Sequence, residues 1–429
     1  MNYPDSVRFL YALGNEVKSA KLGLDRIRIA LDALGCPQCR CRVVHIAGTN
    51  GKGSTAAMIE SALRAHGMRT GLFTSPHLAE PTERIRVQGE PVSAPRFAQA
   101  FDRVHAAVGR LLDTGAIDLH TTYFETVTAM AFLIFAEERV DRVVLEVGLG
   151  GRLDATNVVQ PELCVVTPVD FDHEAYLGRS LEAIAAEKAG ILKPGVPAVF
   201  ARQRPEADRV LTARADELEC PITRASDWTV RDLSLARDGS EFRLSGEREL
   251  RIRCPLAGEH QVENAATAAA ALVRLGLPSA AIESGIAATR WPGRLERVST
   301  QPEIILDGAH NPAGARALAA HIDRFYSGRR VRLIYGAMRD KAIAEISGIL
   351  FPHAREVILT APRQARALTP AAMREFADHP GVRVAPDIEA ALALVRDAAP
   401  GDVVFVTGSL FLVAEARKAV FSSRFTVDS

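Results

Sequence analysis

The stretch His45–Thr55, H-I-A-G-T-N-G-K-G-S-T, limits the options of this chain more than any other. It follows the β-rich run Arg42–Val44 and leads into a helical pattern that starts near Ala56. Gly48 and Gly51 permit a tight turn with close backbone approach to a ligand. Lys52 can reach a phosphate, and the N-terminal N–H groups of the following helix would aim at the same anion. Strand, glycines, lysine and helix come in the order that a nucleotide phosphate loop needs. A strand–helix turn that binds nothing is the plainer alternative, and that order weighs against it. The loop departs from the common G-x-x-x-x-G-K-[ST] form. Ile46 stands where the first glycine falls, and Gly53 stands where a Ser or Thr usually holds magnesium. Ser54 comes one residue late, so some ligands of any bound metal should come from elsewhere in the chain.

Around this loop the periodicity alternates between strand and helix. Residues 5–35 read as one or two helices broken at Lys21–Gly23, and Arg69–Thr74 reads as a strand. The segment from Thr74 to Val92, rich in turn formers, reads as a long mobile loop. Pro95–Leu112 and Thr121–Glu138 are helical patterns, and Val143–Val147 and Leu163–Val169 are near-continuous apolar strands of the buried parallel kind. Ser180–Ala189 is a helix and Val196–Ala201 a strand. Trp228–Cys254 alternates polar and apolar residues around Asp238–Gly239 and Gly246, as a small antiparallel piece does. Two helices follow, Val262–Leu275 and Ala280–Ala288. Arg290–Thr300 has no clear period and reads as the approach to a linker. From Ile304 the alternation restarts with strands at Ile304–Leu306, Val331–Tyr335, Glu356–Thr360 and Val403–Val406. The reading is α/β throughout: a doubly wound, mainly parallel sheet with a small antiparallel sheet, then a second, smaller α/β domain.

Composition excludes several classes. With 52 basic and 52 acidic residues, the 429-residue chain has no global attraction for nucleic acid or membrane surface. Its longest apolar run, near Ala129–Ala136, is too short to span a bilayer, and no secretory signal opens the sequence, so a cytoplasmic location is expected. Six cysteines in a chain this long do not suggest a disulfide framework. Cys36, Cys39 and Cys41 cluster near His45. A zinc site there lacks a second Cys/His pair, and a reduced loop cluster is the favoured reading.

In parallel sheets, ligands sit at the carboxyl ends of strands. Glu146, Asp170, Asp172 and His173 lie at or just past such ends, on the edge expected for the phosphate loop. A carboxylate on a buried strand, as Glu146 is, must be paired or bind a cation. His173 reads equally as a ligand or as a structural histidine. Lys188, beside Glu187, reads on sequence alone as a surface ion pair. In the second domain, Asp307 and His310 follow the strand Ile304–Leu306, and Asn311–Pro312 starts a helix.

Together these signals resemble one family. A-G-T-N-G-K-G-S-T (47–55), T-S-P-H-L (74–78), T-Y-F-E (122–125), L-E-V-G-L-G-G-R-L-D-A-T-N (145–157), D-H (172–173), E-K-A-G-I (187–191), N-A-A-T-A (264–268), P-G-R-L-E (292–296) and D-G-A-H-N-P (307–312) occur in the order seen in folylpolyglutamate synthase/dihydrofolate synthase, of the Mur ligase superfamily. The match spans nearly the whole chain. It implies a P-loop Mur-ligase-like ATP-binding domain over 1–298, with a folate and pterin site, and a Rossmann-like α/β ligase domain over 299–429. It implies ATP as cosubstrate, with two magnesium ions, in a cleft between the domains. The implied reaction phosphorylates a carboxylate of a reduced folate or of dihydropteroate. L-glutamate then attacks the acyl phosphate, in tetrahydrofolate synthase and dihydrofolate synthase activities.

The resemblance also implies residue roles. Asn50, Gly51, Lys52, Gly53 and Ser54 would cradle the phosphates, Asn264 would contact adenine, and Arg294 and Asp307 would close on ATP. Ser75, Glu146, His173 and a carbamylated Lys188 would serve magnesium. Lys52, Lys188, His173 and His310 would be the catalytic group. Leu22, Thr122, Phe124, Asp154 and Ala155 would line the pterin site. Partners are expected to be small molecules only, with no nucleic acid or membrane, and the protein is expected to be a monomer. Asp170 departs from the often aliphatic family segment; metal binding, an arginine pair and an outward orientation are all open to it. A Mur ligase acting on a cell-wall nucleotide would need a further N-terminal domain, for which residues before 45 leave no room. A GTPase switch would carry an Asn-Lys-x-Asp or Thr-Lys-x-Asp base reader, which is missing.

Overall fold

The computed structural model describes residues 1–14, 23–396, 398–399 and 401–422. The chain divides into two compact units. One comprises Met1–Arg231, Arg243–Ile252 and Glu263–Thr289, and the other comprises Asp232–Phe242, Arg253–Val262 and the chain from Arg290 onward.

The strands of the first unit are β1 Arg42–Ala47, β2 Thr70–Phe73, β3 Ile85–Val87, β4 Glu90–Pro91, β5 Arg142–Glu146, β6 Leu163–Val166, β7 Ala198–Phe200 and β8 Ile222–Arg224. Among the described residues they form one eight-stranded sheet in the order β4-β3-β2-β5-β1-β6-β7-β8. From β2 to β8 the neighbours run parallel, while β3 and β4 are antiparallel additions at the edge. This corrects the expectation of a mobile loop between Thr74 and Val92. Ile85 is fully buried in β3, and the Glu83 carboxylate accepts from the N–H groups of Leu78, Ala79 and Glu80, which tightens the turn before it. The segment Ile85–Val87 is too short for its strand pattern to stand out among the surrounding turn formers.

Helix Lys52–Ala65 starts at the lysine of the phosphate loop, four residues before the apolar periodicity sets in. Helix Ser279–Ala287 lies directly against it. Gly285 makes this approach possible: a Cβ there would sit 2.2 Å from the Ala62 Cα, and the Ser61 hydroxyl donates to the Gly285 carbonyl at 2.7 Å. Helix Tyr123–Glu137 is buried almost all round, with Phe132 and Phe135 packed among Phe73, Phe97 and Phe101 in the main core.

A small sheet follows, β9 Thr229–Ala236, β10 Gly239–Ser245 and β11 Glu249–Cys254, in the order β11-β10-β9. The two-residue connection Arg237–Asp238 requires antiparallel pairing, as the alternation predicts.

The sheet of the second unit has the order β12-β13-β17-β14-β15-β16. Its strands are β12 Glu296–Thr300, β13 Glu303–Leu306, β14 Arg330–Tyr335, β15 Glu356–Leu359, β16 Val382–Val384 and β17 Asp402–Thr407. Among the described residues, β12 alone pairs antiparallel in this sheet, with β13. The segment read as an approach to a linker is therefore partly a strand. A register shift between Arg297 and Ser299 spoils its period-two pattern, which is why it looked irregular. Strand β16 escaped the sequence reading because its three residues are mostly exposed. Among the described residues no helix is long and apolar enough to cross a membrane.

Gly285→Ala should force apart the phosphate-loop helix and its neighbour, because both clashing groups are backbone. A loss of about 1–3 kcal/mol is expected, the usual range for overpacking. Urea unfolding of the variant beside the parent checks it.

Candidate functional site

Strand register brings the site together. Ile46 lies opposite Glu146, Ala47 opposite Val166, and Phe73 opposite Leu145, so β1, β5, β6 and β2 end at one edge. The phosphate loop crosses that edge. The Thr49 and Asn50 amides donate to the Pro168 carbonyl at 2.9 and 3.3 Å, and the Thr49 hydroxyl donates to the Asp170 carbonyl at 2.9 Å. Gly48 has φ +146, and a Cβ there would fall 1.9 Å from the Thr167 hydroxyl oxygen. Gly51 has φ +82, and a Cβ there would fall 2.2 Å from the Asn264 Oδ1. Both turns therefore need glycine twice over, for backbone conformation and for space. The second contact sets Asn264 beside the phosphate loop.

Two lysines meet at one carbonyl. Lys52 Nζ donates to the carbonyls of Gly48 and Thr49, each at 3.1 Å. Lys188 Nζ donates to the same Gly48 carbonyl at 2.9 Å. Lys188 is 3% exposed, and the expected surface pair with Glu187 does not form: Glu187 binds Arg152 instead, at 2.9 Å. Burial, and then the charge of Lys52, pull the Lys188 amine down to about 7, against weaker opposing pulls from Asp172 and Asp154. The sequence could not reveal this, because adjacent helical residues point in different directions and only packing decides which is enclosed.

The loop after β5 closes on the helix Leu181–Ala189, which carries Lys188. The Arg152 amide donates to the Glu187 carbonyl at 2.8 Å, and the Asn157 amide group donates to the carbonyls of Arg152 and Gly190. Asp154 is buried and committed to its own loop. Oδ2 accepts from the Leu149 amide at 2.8 Å, and Oδ1 accepts from the Thr156 amide at 3.0 Å and hydroxyl at 2.5 Å. Burial raises its pKa, and these hydrogen bonds oppose the rise. The Thr156 hydroxyl also lies 2.9 Å from His45 Nε2, so a polar chain runs from the loop into strand β1. Among the described residues no three His, Cys, Asp or Glu side chains gather as a metal site, so the cysteine cluster and His45 form none. Cys36, Cys39 and Cys41 are free thiols, with the Cys36 Sγ donating to Asp32.

Phe124 lies beneath the same loop; a Cβ on Gly148 would be 2.4 Å from its ring. Thr122 caps that helix, its hydroxyl accepting from the Glu125 amide at 3.2 Å, and Ala155 is buried nearby in the loop after β5. Leu22 lies outside the described residues. Asp170 pairs with Arg204 at 3.5 Å and accepts from the Phe171 amide, which answers the question left open for it.

Oxygen donors fit magnesium at the end of β5. Glu146 is 4% exposed, and its Oε2 accepts from the Ser75 amide at 3.2 Å, so the Ser75 hydroxyl belongs to a residue already seated on that carboxylate. His173, at φ +53, follows Asp172 and lies 3.9 Å from its Oδ2. An ammonium on Lys188 does not fit a cation, whereas an oxygen-bearing carbamate would. Among the described residues no three His, Cys, Asp or Glu side chains form a ready cation cage.

In the second unit, Asp307 is buried at the end of β13. It accepts from the Leu295 amide at 3.0 Å and the Ala309 amide at 2.9 Å. Burial raises its pKa, and the Arg294 guanidinium opposes this. Arg294 also closes over Gly308, where a Cβ would be 2.2 Å from its Nη1. The His310 Nδ1 lies 2.8 Å from the Gly308 carbonyl, and Asn311 caps the next helix. Thr49, Arg152 and Thr156, which stand inside the motifs but carry no assigned role there, tie the loops together. Thr49 and Arg152 each follow a glycine, Gly48 and Gly151, in a turn.

A glycine-rich phosphate loop on a parallel sheet, joined in sequence to a second α/β unit, is the plan of the Mur ligases. The Mur ligase middle domain matches residues 46–272, and the Mur ligase glutamate ligase domain matches residues 293–410. The chain is 34% identical over 440 residues to folylpolyglutamate synthase of Lacticaseibacillus casei, covering 99% of this chain and 100% of that protein. It is 36% identical to dihydrofolate synthase/folylpolyglutamate synthase of Mycobacterium tuberculosis, covering 92% and 89%. The structure of Mycobacterium tuberculosis folylpolyglutamate synthase complexed with ADP and AMPPCP superposes with a TM-score of 0.91 at 34% identity, over 98% of this chain and 99% of that one. Escherichia coli FolC in complex with DHPP and ADP gives 0.86 at 33%, over 97% and 98%. The chain belongs to the folylpolyglutamate synthase/dihydrofolate synthase family, and it is a ligase.

His45 should make the protein acid-sensitive. Burial, then the charge of Lys193, lowers its pKa from 6.5 to about 3. Below pH 6.5 the unfolded chain takes up a proton that the folded chain refuses. The stabilising contribution is therefore full above pH 6.5 and is lost as pH falls toward 3. His45→Gln keeps a partner for Thr156 without that proton. Between pH 7 and 5 it should lose about 2 kcal/mol less stability than the parent, at about 1.4 kcal/mol per proton per pH unit. Denaturant midpoints at the two pH values measure this.

Proposed function

We infer that this ligase adds L-glutamate to reduced folates and to dihydropteroate at the expense of ATP, through an acyl phosphate, giving ADP and phosphate. The observation that carries the reading is the phosphate loop clasped between the ends of β1 and β6, with two lysine amines on the Gly48 carbonyl. A carboxylate is a poor electrophile, and phosphorylation supplies its leaving group. The residues then have two tasks, to position the reactants and to neutralise charge.

On this reading, Lys52 swings from the Gly48 and Thr49 carbonyls to the phosphates. The backbone of Asn50, Gly51 and Gly53, with Ser54, surrounds them, and Asn264 takes the adenine. Ser75 and Glu146 would hold one magnesium and His173 a second, and a carbamylated Lys188 would offer that site an oxygen ligand. When bound, the metal supplies charge neutralisation at the phosphoryl oxygens. An amine that titrates near 7 is neutral often enough at physiological pH to attack carbon dioxide, and this supports the carbamate. Arg294, Asp307 and His310, gathered at one sheet edge of the second unit, would act on the nucleotide and the acyl phosphate. For the pterin ring, Phe124 offers a flat face beside Thr122 and Ala155. The Asp154 carboxylate serves by holding the loop, since its oxygens already accept from Leu149 and Thr156.

Lys52→Ala should keep the fold and lower both glutamate additions on the order of a hundredfold or more, as loss of an electrostatic donor to a phosphoryl group does. Phosphate release with each acceptor plus glutamate, beside a far-UV circular dichroism spectrum, tests this. Near-parent turnover would overturn the loop's role.

The carbamate has its own measurement. Carbon-13 NMR with labelled bicarbonate should show one carbamate resonance in the parent protein and none in Lys188→Ala. An identical spectrum from the two proteins would leave Lys188 a free amine.

A further inference from the structure

The sheet of the second unit has chemistry at both ends. Its carboxyl end carries Asp307 and His310. Its amino end, roughly 16 Å away along β14 at about 3.3 Å per residue, holds a cavity of about 410 Å³ that no step of the ligation uses. Arg330, Arg332, Arg355 and Arg383 line it, with only Glu356 and Asp402 as acids.

The register explains the gathering. Arg330 pairs with Asp402 across β14 and β17, and Arg332 pairs with Glu356 across β14 and β15. Positions 330 and 332 are two apart on one strand, so they share a face. Asp402, whose side chain is 1% exposed, holds Arg330 Nε at 2.7 Å and an Arg332 nitrogen at 3.0 Å. Glu356 holds Arg332 at 3.3 Å and Arg383 at 3.0 Å. Three guanidinium forks are thus oriented by two carboxylates, and Arg355 adds a fourth. Two positive charges remain uncompensated. The side chains of Arg330 and Arg383 are 54% and 47% exposed, so their remaining N–H groups can be reached from solvent. Oriented guanidinium forks match phosphate and carboxylate oxygens in pairs. The volume exceeds what one phosphate fills and lies within the range of small-molecule sites.

We propose that this cavity is a second ligand site, taking a compact polyanion with at least two linked oxyanion groups, either a diphosphate or a polycarboxylate. Asp402 and Glu356 act as its positioning residues and the arginines as its contacts. It stands on the second unit alone and does not depend on how the ligase reaction is assigned.

The test is calorimetric titration of the full chain, using pyrophosphate in one series and citrate in the other, with the arginine variants below separating this cavity from the phosphate loop. At least one should bind saturably, and added salt should weaken it, since exposed charges are screened. Arg355→Ser/Arg383→Ser should weaken that binding at least roughly tenfold, because charge-assisted hydrogen bonds are lost. Binding of pyrophosphate alone assigns a phosphate ligand, and binding of citrate alone assigns a carboxylate ligand. Should the double variant melt earlier than the parent, Arg355→Glu alone carries the comparison, since neither carboxylate is held by Arg355. No saturable binding of either probe, or unchanged affinity in the variant that retains the parent's melting temperature, would overturn the proposal.

Discussion

The Gly48 carbonyl is the point on which the site turns. It accepts from Lys52, which belongs to its own loop, and from Lys188, which is 140 residues away in sequence. Two amines on one acceptor cannot both carry a full charge without cost in a buried setting. Lys188 is the more enclosed, and burial first, then the charge of Lys52, brings its pKa down to about 7. A phosphate arriving at the loop would relieve the repulsion by drawing Lys52 away. The loop therefore sets one amine where an anion would arrive, beside a second that is neutral in about half of the molecules near pH 7.

Close packing of backbone keeps these groups in place. Gly48 leaves room for Thr167, Gly51 for Asn264 and Gly148 for Phe124, so a methyl group at any of these positions would displace its neighbour. The loop after β5 is tied to the Lys188 helix through Arg152, Glu187 and Asn157, and to β1 through Asp154, Thr156 and His45. Interiors packed this tightly tolerate little change in volume, and small shifts are transmitted rather than absorbed.

Much of the first unit was legible from sequence because buried parallel strands write long apolar runs and their carboxyl ends carry the polar residues. Glu146, His173 and the phosphate loop were placed on one edge that way. Asn264 was named by resemblance, and its contact with Gly51 is a matter of packing. The edge hairpin Ile85–Pro91 and strand β12 were not legible. The one is too short to show a period, and the other carries a register shift. The arginine cavity was invisible for another reason: its residues lie in four separate strands or their flanks, and only register sets them on one face.

What the sequence by itself determined is the chemistry available: a phosphate loop lacking its usual hydroxyl, carboxylates at strand ends, and a chain-long order of motifs that one ligase family shares. These follow from local rules, since periodicity and glycine placement act over a few residues. What only the tertiary structure decided is the state of each group. Lys188 looked like a surface cation and is an enclosed amine; Asp154 looked free for a ligand and is committed to its loop. Asp170 found an arginine and His45 a threonine. Desolvation and hydrogen-bond partners come from segments far apart in the chain, and no local pattern in the sequence encodes them.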